Sequence, residues 1–184
     1  MTRLLALSGS LRKDSFNTEL ARIASRVAPA GVVVDVATLH GIPLYDGDLE
    51  VEQGIPDSVL ALKERIVASD GLLLLTPEYN SGIPGVMKNG IDWLSRADLK
   101  AVFSRRPVAV IGATPGGWGT LSAQNAWLPT LHMLGAREYS SHRLLVSHAH
   151  TLLPGDNTIA DATVEKMLIE LLAGFAKFIE QQHQ

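Results

Sequence analysis

Short unbroken apolar runs alternate along this chain with longer stretches in which apolar residues recur every three or four positions. The runs fall at residues 4–7, 32–36, 72–75 and 108–111, and a shorter one at 144–146 supplies a fifth. Continuous Val, Ile and Leu over four or five residues suits a parallel strand covered on both faces, because neither direction of side chain then meets water. Helical spacing fills the intervals, over 18–27, 58–69, 85–95, 121–134 and 158–181. In the last of these, Ile159, Ala162, Val164, Leu168, Leu171, Leu172, Phe175 and Ile179 trace one apolar stripe. Five strands alternating with five helices predict an α/β, doubly wound five-stranded parallel sheet with helices on both faces, since right-handed crossovers leave few other arrangements. The interval 40–56 contains Gly41, Pro43, Gly47, Gly54 and Pro56 and reads as a long surface loop. With no repeat, linker or low-complexity stretch, residues 1–184 are expected to form one domain.

Composition narrows the chemistry. A hydrophobic fraction of 46% against 19% charged residues is that of an ordinary globule, not a disordered or fibrous chain. The net charge of −3, with no basic run, offers no electrostatic footprint for nucleic acid or an anionic membrane. Cysteine is absent, which removes disulfides, thiolate metal sites and a cysteine nucleophile. No apolar run approaches the roughly 20 residues that span a bilayer, and no charged leader precedes an apolar core, so the cytoplasm is the expected location.

In a doubly wound sheet, ligands bind beyond the carboxyl ends of the strands, where strand order reverses. Three segments therefore matter: SGSLRKDSFNT after the first strand, TPEYNSGIPG after the third and GATPGGWGT after the fourth. The first brings together the hydroxyls of Ser8, Ser10, Ser15 and Thr18, the permissive Gly9, the cation Arg12 and the start of a helix. Free N–H groups and the positive end of the helix dipole favour an anion there, and a phosphate monoester fits. Neither the P-loop pattern nor the glycine spacing of dinucleotide folds is present. A plainer reading makes Ser15 or Asn17 a helix cap and Arg12 a solvated charge. With a phosphate on the first loop, the second lies where a flat heterocycle would sit. Pro77 stiffens it, Tyr79 offers an aromatic face, and Asn80 and the backbone near Gly82 offer polar edges. Gly116 and Gly117 allow backbone N–H groups of the third loop to come close to a ring.

The segments GSLRKDSFN, PEYNSGIPGVMKNGIDW and TPGGWGT resemble the NADPH-dependent FMN reductase family, which includes quinone and chromate reductases of flavodoxin-like fold. The match runs in order through nearly the whole chain, and the second segment is the most specific. The resemblance implies that Ser10, Arg12, Ser15, Phe16, Asn17 and Thr18 hold the phosphate of FMN. It implies that Pro77, Glu78, Tyr79 and Asn80 contact the isoalloxazine ring and that Gly116 and Gly117 approach its pyrimidine side. It further implies hydride transfer from NADPH or NADH to FMN and on to a quinone, chromate, azo or nitro compound or free flavin, in a homodimer or homotetramer. One departure is visible: many relatives carry an arginine where Ser122 stands.

Hydride transfer through a flavin asks the protein for positioning and charge stabilisation and for no general base. His148 and His150, with no acidic neighbour in sequence, are given no metal or catalytic role. Trp93, on the helix over 85–95, reads as a core or subunit-interface anchor. The breadth of Val86, Met87, Ile91, Trp93 and Leu94 around that helix is expected to supply an oligomer contact. Two other classes compete: a flavodoxin-type electron carrier that does not turn over NAD(P)H, and a serine hydrolase using Ser8 or Ser10, for which no G-x-S-x-G elbow exists.

Overall fold

A computed structural model describes residues 1–182. The first strand, β1 (Thr2–Ser8), pairs in parallel with β2 (Val32–Ala37) on one side and with β3 (Gly71–Leu75) on the other. β4 (Pro107–Ala113) follows beyond β3. The sheet order is 2-1-3-4-5, the flavodoxin-like arrangement, and it reverses between β1 and β3.

Side chains alternate across these strands, so each strand feeds two cores. Leu4, Ala6, Leu73, Leu75 and Ile111 pack with Leu20 and Ile23 of α1 (Phe16–Arg26) and with Leu171 and Phe175 of α7 (Ala162–Gln182). Leu5, Leu7, Leu72, Leu74 and Val108 face the other way, toward Leu62 and Ile66 of α3 (Asp57–Val67) and toward α4 (Gly85–Val102) and α5 (Leu121–Met133). Three of the four long apolar runs, β1, β3 and β4, are strands for the reason the sequence suggests, being covered on both faces, whereas β2 is an edge strand that leaves Val33 and Asp35 exposed.

The fifth strand is not the continuous run expected over 144–146. Its place is shared by β5 (Arg137–Glu138), which pairs with the start of β4, and β6 (Leu145–Val146), which pairs with its end. Between them the polar residues 140–143 leave the ladder, and Tyr139 turns its ring onto Phe175 and Phe178. The charged pair that forms β5 carries no apolar signal.

The expected surface loop over 40–56 contains a helix, α2 (Gly47–Gln53), capped by Asp46, whose Oδ1 accepts from Asp48 N at 2.9 Å. No α2 residue is buried, so the helix leaves no apolar stripe to read. It is seated by the part-buried Leu49, which packs on the second core, and by polar contacts. Arg96 Nε donates to Glu50 at 3.0 Å and Tyr45 Oη donates to the same carboxylate at 2.9 Å, which holds Glu50 below the usual carboxylate range, Arg96 being the larger cause. A short α6 (Ala149–Leu152) also went unsignalled.

α4 runs past residue 95 to Val102, interrupted at Asp98, whose backbone is extended and whose Oδ1 accepts from Ala101 N at 2.9 Å. Met87, Ile91, Trp93 and Leu94 are all buried within this one chain, and Trp93 Nε1 donates to Pro43 O at 2.9 Å. The wide apolar stripe of α4 is thus used by the sheet and by the 40–45 segment. Of the five residues expected to supply a subunit contact, only Val86 is part-exposed, and Trp93 is a core residue. Among the described residues no helix is long and apolar enough to cross a membrane.

Candidate active site

The crevice expected from strand order lies beyond the carboxyl ends of β1, β3 and β4. It is a cleft of about 260 Å³ lined by Ser10, Arg12, Ser15, Phe16 and Asn17 from the first loop, Pro77, Glu78 and Tyr79 from the second, and Ala113, Thr114 and Pro115 from the third. A second cavity of about 370 Å³ lies at Met1, Arg3 and Asp35, at the amino end of β1, where such sheets do not place ligands.

Close approach of the first two loops depends on Gly9. Its N–H donates to Leu75 O at 2.9 Å, and a Cβ there would collide with Met87 Sδ and touch Pro77 Cδ at 3.0 Å. Ser15 caps α1, its Oγ accepting from Thr18 N at 3.2 Å. Ser10 Oγ accepts from Arg12 N at 3.3 Å. Both hydroxyls therefore keep an O–H to donate into the cleft. Helix geometry leaves the N–H groups of Phe16 and Asn17 without intrahelical acceptors. Arg12 lies over the Phe16 ring, 5.7 Å from its centroid, with one nitrogen donating to Asp14 O at 2.9 Å. One wall of the cleft thus presents two hydroxyls, a guanidinium and a helix N-terminus, a donor set with the charge and geometry for a dianionic phosphate.

Two residues of this loop do different work from the one expected of them. Thr18 does not line the cleft; its hydroxyl pairs with buried Ser8 Oγ at 2.8 Å. Asn17 does line it, yet its amide is consumed. Nδ2 donates to Ala113 O at 2.9 Å and Oδ1 accepts from Ala113 N at 3.0 Å, joining the start of α1 to the end of β4. Of Asn17, the main-chain N–H is what remains for a ligand. His40, unmarked in the sequence, braces the same loop: Nε2 lies 3.1 Å from Leu11 O and Nδ1 lies 2.9 Å from Thr38 Oγ1.

In the second loop, Tyr79 and Gly82 exchange backbone hydrogen bonds of 3.3 and 3.0 Å around Asn80 and Ser81, whose φ values are 51° and 58°. Two successive positive φ values make this a type I′ turn. The turn holds Tyr79 at its edge, 54% exposed, and carries Asn80 off the cleft wall. Glu78 Oε2 accepts from Ala123 N at 2.9 Å in the first turn of α5. Ser122 is the neighbour of Ala123 in that turn, and the Glu78 charge is balanced by the N-terminal end of the helix.

The third loop contributes through its first half. Ala113, Thr114 and Pro115 form the wall, whereas Gly116 and Gly117 stand exposed just beyond it. Thr114 N donates to Val146 O at 3.0 Å and His148 N to Gly116 O at 3.1 Å, so β6 and α6 hold this loop in place. The three wall residues had a signal in the sequence, since they are the first positions past an apolar run.

No hydrogen bond among the described residues joins a histidine to Ser8 or Ser10, and Ser8 is fully buried on Thr18. The nucleophile and base pair that a hydrolase requires is not assembled here.

Residues 2–151 match the family described as NADPH-dependent FMN reductase. The chain belongs to the NADPH-dependent FMN reductase family. Over 97% of its length it is 33% identical to an NAD(P)H-dependent FMN reductase of Pseudomonas aeruginosa, covering 96% of that protein. It is 31% identical to a 2-hydroxy-1,4-benzoquinone reductase of a Burkholderia species, over 98% of this chain and 97% of the other. Among solved structures it is similar to FerB of Paracoccus denitrificans, a flavoenzyme NAD(P)H:(acceptor) oxidoreductase, with a TM-score of 0.86, 33% identity and 98% of each chain covered. For a member of the FMN reductase family, the donor set on the first loop fits the phosphate of FMN, and the two further loops leave room beside it for a planar ring.

Proposed function

We propose that this protein is an FMN-dependent NAD(P)H oxidoreductase that reduces quinones or other small electrophilic acceptors in two successive half-reactions. The observation that carries the reading is a single cleft at the switch point of the sheet, with phosphate donors on one wall and an exposed aromatic side chain on another. Ser10, Ser15, Arg12 and the N–H groups at the start of α1 hold the phosphate. Pro77, Glu78 and the Tyr79 turn would flank the ring on one side, and the main-chain N–H groups of Gly116 and Gly117, just beyond the cleft wall, would reach its pyrimidine edge and stabilise developing negative charge there. Bound FMN supplies the redox chemistry, taking a hydride from NADPH or NADH and returning two electrons to the acceptor. The family and the quinone-reducing relatives favour this over a flavodoxin-type carrier of the same fold.

If the second loop covers one face of the bound ring, donor and acceptor would share the other and bind in turn. Initial rates are expected to give parallel double-reciprocal lines, with high quinone competing against NADPH. Intersecting lines would mean a ternary complex and would refute the shared face. Tyr79→Ala is expected to lower turnover or flavin retention without moving the pH optimum, because Tyr79 is assigned no proton to transfer. A variant with full flavin and full rate would remove Tyr79 from the site.

We also propose a homodimer or homotetramer. With the α4 stripe buried, the support comes from Leu44 and Val51, which flank the start of α2 and its outer face and are 81% and 87% exposed. Light scattering at micromolar concentration is expected to report at least twice the chain mass, and a monomer would overturn this. We propose the cytoplasm as its location, where NAD(P)H is supplied.

A further inference from the structure

We propose that Trp118 is the docking platform for planar aromatic acceptors, an assignment that rests on the reductase reading above. The chain has three tryptophans. Trp93 and Trp127 are fully buried, whereas Trp118 is 84% exposed on the third loop, three residues beyond Pro115 of the cleft wall. Its indole is a large, rigid aromatic surface of the kind that stacks on planar rings.

The backbone that carries the indole is anchored. Two residues before it, Gly116 O accepts from His148 N at 3.1 Å. Immediately after it, Gly119 has φ of 61° and lies so close to the strand β6 that an added Cβ would meet Leu145 Cβ at 2.8 Å. Thr120 follows, fully buried. The backbone is pinned on both sides of Trp118, so the ring is projected from an anchored arch.

The second loop is tied to the same place. Glu78, whose carboxylate accepts from Ala123 N, immediately precedes Tyr79, and Ala123 lies at the head of the helix that ends the third loop. Tyr79 and Trp118 therefore stand on two loops joined near their bases, Tyr79 on the cleft wall and Trp118 three residues beyond Pro115 of that wall.

Chemistry decides which substrate needs the indole. NADPH brings three phosphates and an adenosine by which to hold on. A quinone brings only two ring faces and two carbonyls, and its electron-poor ring suits the electron-rich face of an indole. Trp118 gives and takes neither proton nor electron; it positions the acceptor while electrons come from the reduced cofactor.

The test uses FMN-loaded protein at saturating NADPH, with a naphthoquinone and with ferricyanide, an acceptor that has no ring to stack. In Trp118→Ala the KM for naphthoquinone is expected to rise about three- to tenfold relative to the KM for ferricyanide, the size of one lost aromatic pair. Trp118→Phe, which keeps a ring, is expected to restore most of that ratio. An unchanged ratio, or a ratio that Phe does not rescue, overturns the assignment. So does a loss of oligomer mass in Trp118→Ala with the ratio unchanged, which would make the indole a subunit contact. If NADPH fails to bleach the flavin of the unmodified protein, the reductase reading falls and the assignment with it. If bleaching is intact and only the ratio is unmoved, the assignment falls alone.

Discussion

Asn17→Ala is expected to destabilise the chain by about 2–4 kcal/mol and to weaken FMN and riboflavin by the same factor. The side chain is only 3% exposed, and both of its polar atoms bond the main chain of Ala113, at 2.9 and 3.0 Å. Truncation strands a buried N–H and a buried C=O at once. Each orphaned group costs about 1–3 kcal/mol, and water entering from the adjacent cleft recovers part of that. Because these two bonds fasten the first loop to the end of β4, their loss loosens the cleft as a whole and does not single out the phosphate. Urea unfolding and titration with both flavins measure the two effects. Unaltered stability with a loss confined to FMN would show Asn17 to be a phosphate ligand and not a brace.

Arg12→Ala is expected to behave in the opposite way: FMN binding weakens by about 1.5–3 kcal/mol, roughly 10- to 150-fold in Kd, while riboflavin binding and folding stability barely change. The guanidinium is exposed, lies on the Phe16 ring and donates to a nearby carbonyl, so nothing in the fold rests on it. What it offers is charge beside two hydroxyls and a helix N-terminus, and only a phosphorylated flavin can use that. Equal loss for both flavins would make Arg12 a structural residue and remove the phosphate from the first loop. Two residues five positions apart thus separate holding the loop from holding the ligand.

The central strands β1, β3 and β4 and the helices between them could be read directly, because a strand buried on both faces writes its burial as an unbroken apolar run, and the edge strand β2 showed through its valines although Val33 and Asp35 face water. Elements stabilised by polar contacts could not. β5 is Arg137 and Glu138, α2 has no buried residue, and both rely on partners far along the chain. The site divides in the same way. Residues whose contribution is their own chemistry, such as Arg12, Ser15 and Tyr79, stand out by type and position. Residues whose contribution is a long-range bond do not. Asn17 meets Ala113 across 96 positions and Glu78 meets Ala123 across 45, and no local pattern announces either. The hydroxyls of the first loop are more numerous than the ligand needs, since Ser8 and Thr18 satisfy each other. The apolar breadth of α4 misled for a related reason: periodicity shows that a face is buried and not what buries it, and here the cover is Pro43 and the sheet.

The central claim is that one flavin in this cleft accepts a hydride from NAD(P)H and surrenders electrons to a small acceptor. It is tested most directly by following the visible flavin absorbance of the FMN-loaded protein without oxygen, first on adding one equivalent of NADPH and then on adding a quinone. The expected result is bleaching on the first addition and recovery on the second, each at a rate no slower than steady-state turnover. A flavin that NADPH and NADH both leave oxidised, or one that is bleached but that no quinone restores, would contradict it.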